Sequence, residues 1–302
     1  IAYGPEPRWN LLDVYRPRDT DAVLPVIVSV HGGGWGYGDK ERYQYYCMSL
    51  AQQGFAVVNF SYRLASKYKF PAPLEDTNRV FVWLLAHAVR YGFDTHNVFG
   101  VGDNAGVHLL ALYGACCTNP AYAALFTVRP PAGFVPRAVA LNCGVYCVEM
   151  SNKKDLTTRL MADYLPGEGT AEELEQMDVF SHLTADFPPA FVMTAEGDFL
   201  APQAGLLAER LQAVGARAEY HYCGDAGHVL GHVFHCNISS EYARCCNREG
   251  CDFFRLGGGR EALFTKVYKM NRRRHLCGGA QIPAPCYYKR MLEHKKAVQE
   301  AV

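Results

Sequence analysis

The run Gly100-Val101-Gly102-Asp103-Asn104-Ala105-Gly106 follows a short apolar segment and opens a helical pattern. Glycines flanking one central residue at such a junction let a strained strand-to-helix turn lift that side chain above a sheet, the geometry of a nucleophile elbow. The central residue here is Asn104, where the turn needs a hydroxyl or thiol. An amide has no ionisable hydroxyl for a neighbouring base to deprotonate, so the usual covalent step has no attacking atom. The competing reading is a dinucleotide fingerprint built on Gly100, Gly102 and Gly106. It requires a ribose-binding acid about 20 residues further on, and no Asp or Glu occurs between Asp103 and Glu149.

Upstream, His31-Gly32-Gly33-Gly34-Trp35 comes directly after a strand-like run. Consecutive glycines cost backbone entropy that a plain turn does not need. They can turn N–H groups inward toward a developing oxyanion, with Gly33, Gly34 and Ala105 as the expected donors. Late in the chain, Asp198 follows an apolar run in Glu196-Gly197-Asp198. His228, His232 and His235 follow within 40 residues of it. His228, His232, His235 and Cys236 cluster in sequence. Their spacing matches no standard zinc signature and no carboxylate joins them there, so no metal and no cofactor is expected.

Together "HGGGWGYGD", Tyr62-Arg63-Leu64-Ala65, the Gly102–Gly106 elbow, "EGD" and a late His-x-Phe resemble the esterase/lipase branch of the α/β-hydrolase superfamily, from about Tyr3 to Arg255. That resemblance implies an α/β-hydrolase fold and an elbow serine that attacks an ester carbonyl. It also implies a histidine that takes the serine's proton and an acid that orients the histidine. In chain order these roles fall on position 104, Asp198 and His232, which matches the family's late His-x-Phe, with His228 the alternate base. It implies a carboxylic-ester hydrolase for short acyl or aryl esters, with a pocket drawn from His31, Trp35, Tyr37 and an insertion over 147–187. Because Asn104 stands at the nucleophile position, activity is expected to be lost or strongly impaired. The rival is a non-catalytic protein that binds a ligand in an inherited pocket.

The elements that must position these residues are legible. Val26–Val30, Phe55–Phe60, Asn97–Val101, Ala138–Asn142, Ala190–Ala195 and Ala218–Tyr222 are short, apolar and bounded as buried strands are. Helical patterns over Glu41–Gln53, Leu74–Tyr91, Ala105–Cys116 and Ala201–Val214 alternate with them. This predicts a mostly parallel sheet of about eight strands with helices on both faces. The 40-residue stretch over 147–187 has no clear strand and reads as a cap or pocket wall.

At 302 residues the chain holds one large core, expected over 1–256. Its 30 basic and 30 acidic residues cancel, so no nucleic-acid partner is expected and the substrate is a small molecule. The segment from Gly257 to Val302 carries ten Lys/Arg against three acidic residues and reads as a basic, solvated extension. No apolar run reaches the ~18 residues of a membrane span. Twelve cysteines without a signal segment point to a reduced, cytoplasmic setting; the chain begins at Ile1, which leaves export open.

Overall fold

The computed structural model describes residues 1–148, 150, 154, 156–258 and 267–269. The strands are β1 (Leu12–Tyr15), β2 (Leu24–Val30), β3 (Ala56–Phe60), β4 (Phe93–Asp103), β5 (Ala138–Gly144), β6 (Ala190–Ala195), β7 (Ala218–Cys223) and β8 (Val267–Lys269). They form one sheet in the order β1-β3-β2-β4-β5-β6-β7-β8. Among the described strands only β1 runs antiparallel to its neighbour, and the other pairings in the sheet are parallel. This is the α/β-hydrolase architecture, a mostly parallel sheet covered on both faces.

Alternation within each strand divides the core. Val26, Val28 and Val30 of β2 and Ala56, Val58 and Phe60 of β3 point into one apolar layer, while Ile27 and Val57 point into the other. The helices are α1 (Lys40–Ala51), α2 (Ala72–Ala86), α3 (Ala88–Tyr91), α4 (Asn104–Thr118), α5 (Pro120–Ala123), α6 (Leu156–Tyr164), α7 (Ala171–Met177), α8 (Ala201–Ala213) and α9 (Glu241–Arg255). Residues of α2, α4, α6 and α8 fill the first layer; those of α1 and α9 fill the second. Among the described residues no helix is long and apolar enough to cross a membrane, and no disulfide forms.

Helix α4 is the pivot. Every residue from Ala105 to Cys116 is buried, and its first turn lies directly on β2. A Cβ on Gly106 would sit 2.1 Å from the Val30 carbonyl oxygen and 2.5 Å from that of His31, both backbone atoms that cannot swing aside. Gly106→Ala must therefore push the helix off the strand, an overpacking that costs about 3 kcal/mol. The expected result is a lower urea midpoint with an unchanged slope; an unchanged midpoint would show that the helix has room to move.

The segment over 147–187 contributes α6, α7 and a short 3-10 turn at Val179–His182. Backbone bonds tie it down: Phe70 N–H donates to Tyr164 O and Val179 N–H to Tyr146 O. The extension from 257 departs from the solvated reading at one place, since 267–269 add a parallel strand to β7. The rest of that extension beyond Gly258 lies outside the described residues.

Candidate active site

Strand β4 ends at Asp103 with extended backbone, and Asn104 then enters the left-handed region at φ 49° before α4 begins. Asparagine tolerates that region better than most residues. Opposite it, the loop after β2 passes through three successive residues with positive φ, Gly33 (118°), Gly34 (53°) and Trp35 (59°). A Cβ on Gly33 would lie 2.1 Å from Tyr37 O, so only glycine fits there. The turn is pinned by Gly36 and Tyr37 N–H groups that donate to Gly33 O.

The loop and the elbow meet through the Asn104 amide. Gly34 N–H donates to Asn104 Oδ1 at 2.9 Å and Gly33 N–H at 3.3 Å. The Ala105 N–H, the third donor anticipated from the sequence, is not among the partners of that oxygen. On its other side, Asn104 Nδ2 donates to His232 Nε2 at 3.0 Å. His232 Nδ1 in turn donates to Asp198 Oδ1 at 2.7 Å. Each bond fixes the next: a carboxylate at Nδ1 keeps the proton there and leaves Nε2 as an acceptor.

Asp198 is held by more than the histidine. Thr194 of β6 donates its hydroxyl to Oδ2 at 2.7 Å and Leu200 N–H donates to Oδ1 at 3.0 Å. Burial alone would raise this carboxyl, but the bonds from His232, Leu200 and Thr194 prevail and hold it below the usual carboxylate range. Phe199, largely exposed, lays its ring 4.5 Å from that of His232 and forms one lip of the site.

The elbow also has a partner that sequence reasoning missed. Tyr43 of α1 accepts from Gly32 N–H at 3.0 Å and donates to Asp103 Oδ2 at 2.8 Å, joining the glycine loop to the elbow. Burial pushes the Asp103 carboxyl up to about 6, against the opposing pull of the Tyr43 hydroxyl. Tyr43 lies four residues beyond the "HGGGWGYGD" run but belongs to no motif of its own, and only the fold brings its hydroxyl here.

His228 does not reach the site. Its side chain is exposed and its Nδ1 lies 3.5 Å from Asp225 in a tight turn. His235 is buried, faces Tyr46 edge-on and lies 3.5 Å from Cys236 Sγ. The sequence places no carboxylate beside His235 and Cys236, yet the fold does. Asp103 joins them with donor atoms within 4.8 Å, and Cys143 joins Asp198 and His232 in the same way.

Two expected wall residues turn inward. His31 is fully buried and stacks on Tyr62 at 4.0 Å. Trp35 is 1% exposed and stacks on Tyr164 of α6 at 5.2 Å. The left-handed backbone at Gly34 and Trp35 directs the indole back onto the core, so neither side chain faces an open pocket. Tyr37 is exposed.

Three histidines are buried as neutral rings: desolvation lowers His31 and His108 to about 4 and His235 to about 3. An unfolded histidine titrates near 6.5, so between that value and about 4 the unfolded chain binds more protons and stability falls as pH falls. Asp103 acts oppositely between about 3.8 and about 6, and His221, which burial would lower but Glu219 and Glu249 raise, acts oppositely above about 6.5, two groups against three. Denaturation midpoints should therefore drop between about pH 6.5 and about pH 4.5. A flat or rising profile would contradict this accounting.

The comparisons with known proteins follow the same lines. Residues 12–211 match the BD-FAE family. Esterase LipQ of Mycobacterium tuberculosis is 28% identical over 216 residues, covering 68% of this chain and 49% of LipQ. The carboxylesterase NlhH of the same organism is 27% identical over 215 residues, covering 68% of this chain and 66% of NlhH. The chain thus spans about half the length of LipQ. Among solved structures, esterase B from Lactobacillus rhamnosis superimposes with a TM-score of 0.77 at 25% identity, covering 85% of this chain and 84% of that one. A Pyrobaculum calidifontis esterase does so with a TM-score of 0.67 at 25% identity, covering 80% and 78%. With its sheet order, its elbow and loop, and a match over two thirds of its length, the chain belongs to the BD-FAE family, in the esterase/lipase branch of the α/β-hydrolase superfamily.

Proposed function

We propose that the chain carries a carboxylic-ester hydrolase site for short acyl or aryl esters in which Asn104 occupies the nucleophile position, leaving the covalent route strongly impaired. Position 104, Asp198 and His232 take the roles of nucleophile, acid and base, and Gly33, Gly34 and Ala105 those of oxyanion donors. The observation that carries this reading is the double contact of the Asn104 amide. Its nitrogen meets the nitrogen of His232 that would serve a hydroxyl, and its oxygen meets the donors that would serve an oxyanion. The esterase names of the relatives support the substrate class.

Two losses follow from one residue. No alkoxide can form at an amide. The oxyanion donors, which alone leave some 10³–10⁴-fold catalysis in a crippled triad, are also engaged by the chain's own carbonyl oxygen. That second loss favours the non-catalytic ligand-binding reading for the unaltered chain, since a substrate carbonyl must first displace Asn104 Oδ1.

A fluorescent alkyl phosphonate, which labels only an activated nucleophile, tests the assignment. The unaltered chain should remain unlabelled and Asn104→Ser should label, with Asp198→Ala in that background losing most of the labelling. Labelling of the unaltered chain at another residue would place the chemistry elsewhere.

A further inference from the structure

The Asn104 side chain is held as an acyl substrate would be held. Its carbonyl oxygen sits between two inward N–H groups, 2.9 and 3.3 Å away. Its amide nitrogen, which would be the leaving group, lies 3.0 Å from His232 Nε2. That imidazole is oriented by Asp198 at 2.7 Å. These contacts polarise a carbonyl and place a proton-transfer nitrogen at its amine, two of the requirements for breaking an amide bond by acyl transfer, the third being a nucleophile. We propose that Asn104 is itself a substrate of this site: the chain hydrolyses its own side-chain amide, leaving an aspartate at position 104 and releasing ammonia.

The step needs only water as co-reactant. Once the Nδ2–Nε2 bond opens, a water beside the partly exposed Asn104 amide donates its proton to His232 Nε2 while its oxygen bonds to Cγ. The carbonyl π electrons move onto Oδ1, where Gly33 and Gly34 N–H groups receive the negative charge. As the charge returns to re-form the carbonyl, the Cγ–Nδ2 bond breaks, and His232 gives its proton to the departing amine. The acid formed ionises and the ammonia takes up its proton, so the sum is amide plus water to carboxylate plus ammonium. Asp198 stabilises the transient imidazolium and takes no proton. Neither the missing hydroxyl nor a bound ester is required, because the reacting carbonyl is covalently delivered and no association entropy is lost.

The proposal rests on reading the site as an acyl-transfer site, and its test separates the two. Freshly purified full chain is held at neutral pH in water enriched in heavy oxygen, digested, and the peptide containing position 104 followed by mass spectrometry. The expected result is conversion of amide to acid with one solvent oxygen in the product, α-aspartate only, and an acidic shift in isoelectric focusing. His232→Gln should slow conversion by ~10²-fold or more, the usual contribution of a positioned acid–base group, while His228→Ala should not. The urea-unfolded chain gives the spontaneous rate, and there isoaspartate marks the cyclic imide route. A persistent amide at 104 overturns the proposal, as does conversion at the unfolded rate, conversion unaffected by His232→Gln, or a product rich in isoaspartate. If Asn104→Ser hydrolyses esters while Asn104 keeps its amide, the esterase assignment stands and self-hydrolysis fails; if Asn104→Ser is folded and inert, the esterase assignment fails on its own evidence.

Discussion

Asn104→Ser is expected to raise hydrolysis of p-nitrophenyl acetate by at least ~10²-fold over the unaltered chain, because a complete triad acts as a unit and a partial one does not. The argument is positional. A serine oxygen is attached to Cβ as Asn104 Cγ is, between the two groups the amide now contacts. His232 already turns Nε2 toward position 104, with its Nδ1 bonded to Asp198. The substitution also vacates the Gly33 and Gly34 donors for a substrate carbonyl. Adding His232→Ala should abolish the gain, while adding His228→Ala should leave it, since that ring is exposed and paired with Asp225. A folded Asn104→Ser chain that stays inert across acyl lengths would sink the esterase assignment and leave the ligand-binding reading in its place.

The second large effect concerns a carboxylate remote from position 104. Asp76 of α2 is completely buried and accepts from Arg63 N–H and Nε, both at 2.9 Å, and from Arg79 Nη1 at 2.6 Å. Asp76→Ala removes one partner of a buried charge cluster and leaves Arg63 with Glu75, Ala72 O and the face of the Tyr68 ring. Breaking a buried pair from one side typically costs about 3–5 kcal/mol, to be read as a fall in unfolding free energy in urea. Asp76→Asn keeps the shape but not the charge and should recover only part of it. A loss under about 1 kcal/mol would show that Glu75 carries the cluster, as a partly exposed pair can when it needs little help. The effect reaches the site through the same turn: Tyr62 stacks beneath His31 and donates to its carbonyl, and Ala65 N–H donates to Trp35 O. Tyr62-Arg63-Leu64-Ala65 is thus the footing of the glycine loop.

The buried strands were the most readable part of the chain. β6 spans Ala190–Ala195 as its apolar run indicates, because a parallel strand covered on both faces leaves no polar break in its sequence. β1 left no such mark: it is four residues, half-buried, at the sheet edge. Helix α9 was also overlooked, although Ala243, Cys246, Gly250, Cys251, Phe253 and Phe254 form its buried side. Cysteine and glycine there diluted the apolar stripe that normally reveals a helix. Motifs pointed to the elbow, the glycine loop, Asp198 and His232, which the fold brings into one chain of hydrogen bonds. They could not say which way a side chain leaves its loop, so His31 and Trp35 were misjudged. Nor could they reveal Tyr43 and Thr194, whose partners lie elsewhere in the fold, or in Thr194's case four residues on.

The bonding of Asn104 bears on how such a chain can arise and persist. A serine at the elbow leaves two inward N–H groups and an imidazole nitrogen that depend on water or substrate for partners, and function at such sites is commonly held against stability. Asparagine satisfies all three within the protein and adopts the left-handed turn at little cost. Replacement of the nucleophile is therefore structurally self-supporting, and purifying selection on folding alone has no reason to remove it. A lineage can drift out of catalysis at this position while every supporting residue of the site stays under the ordinary constraint of packing.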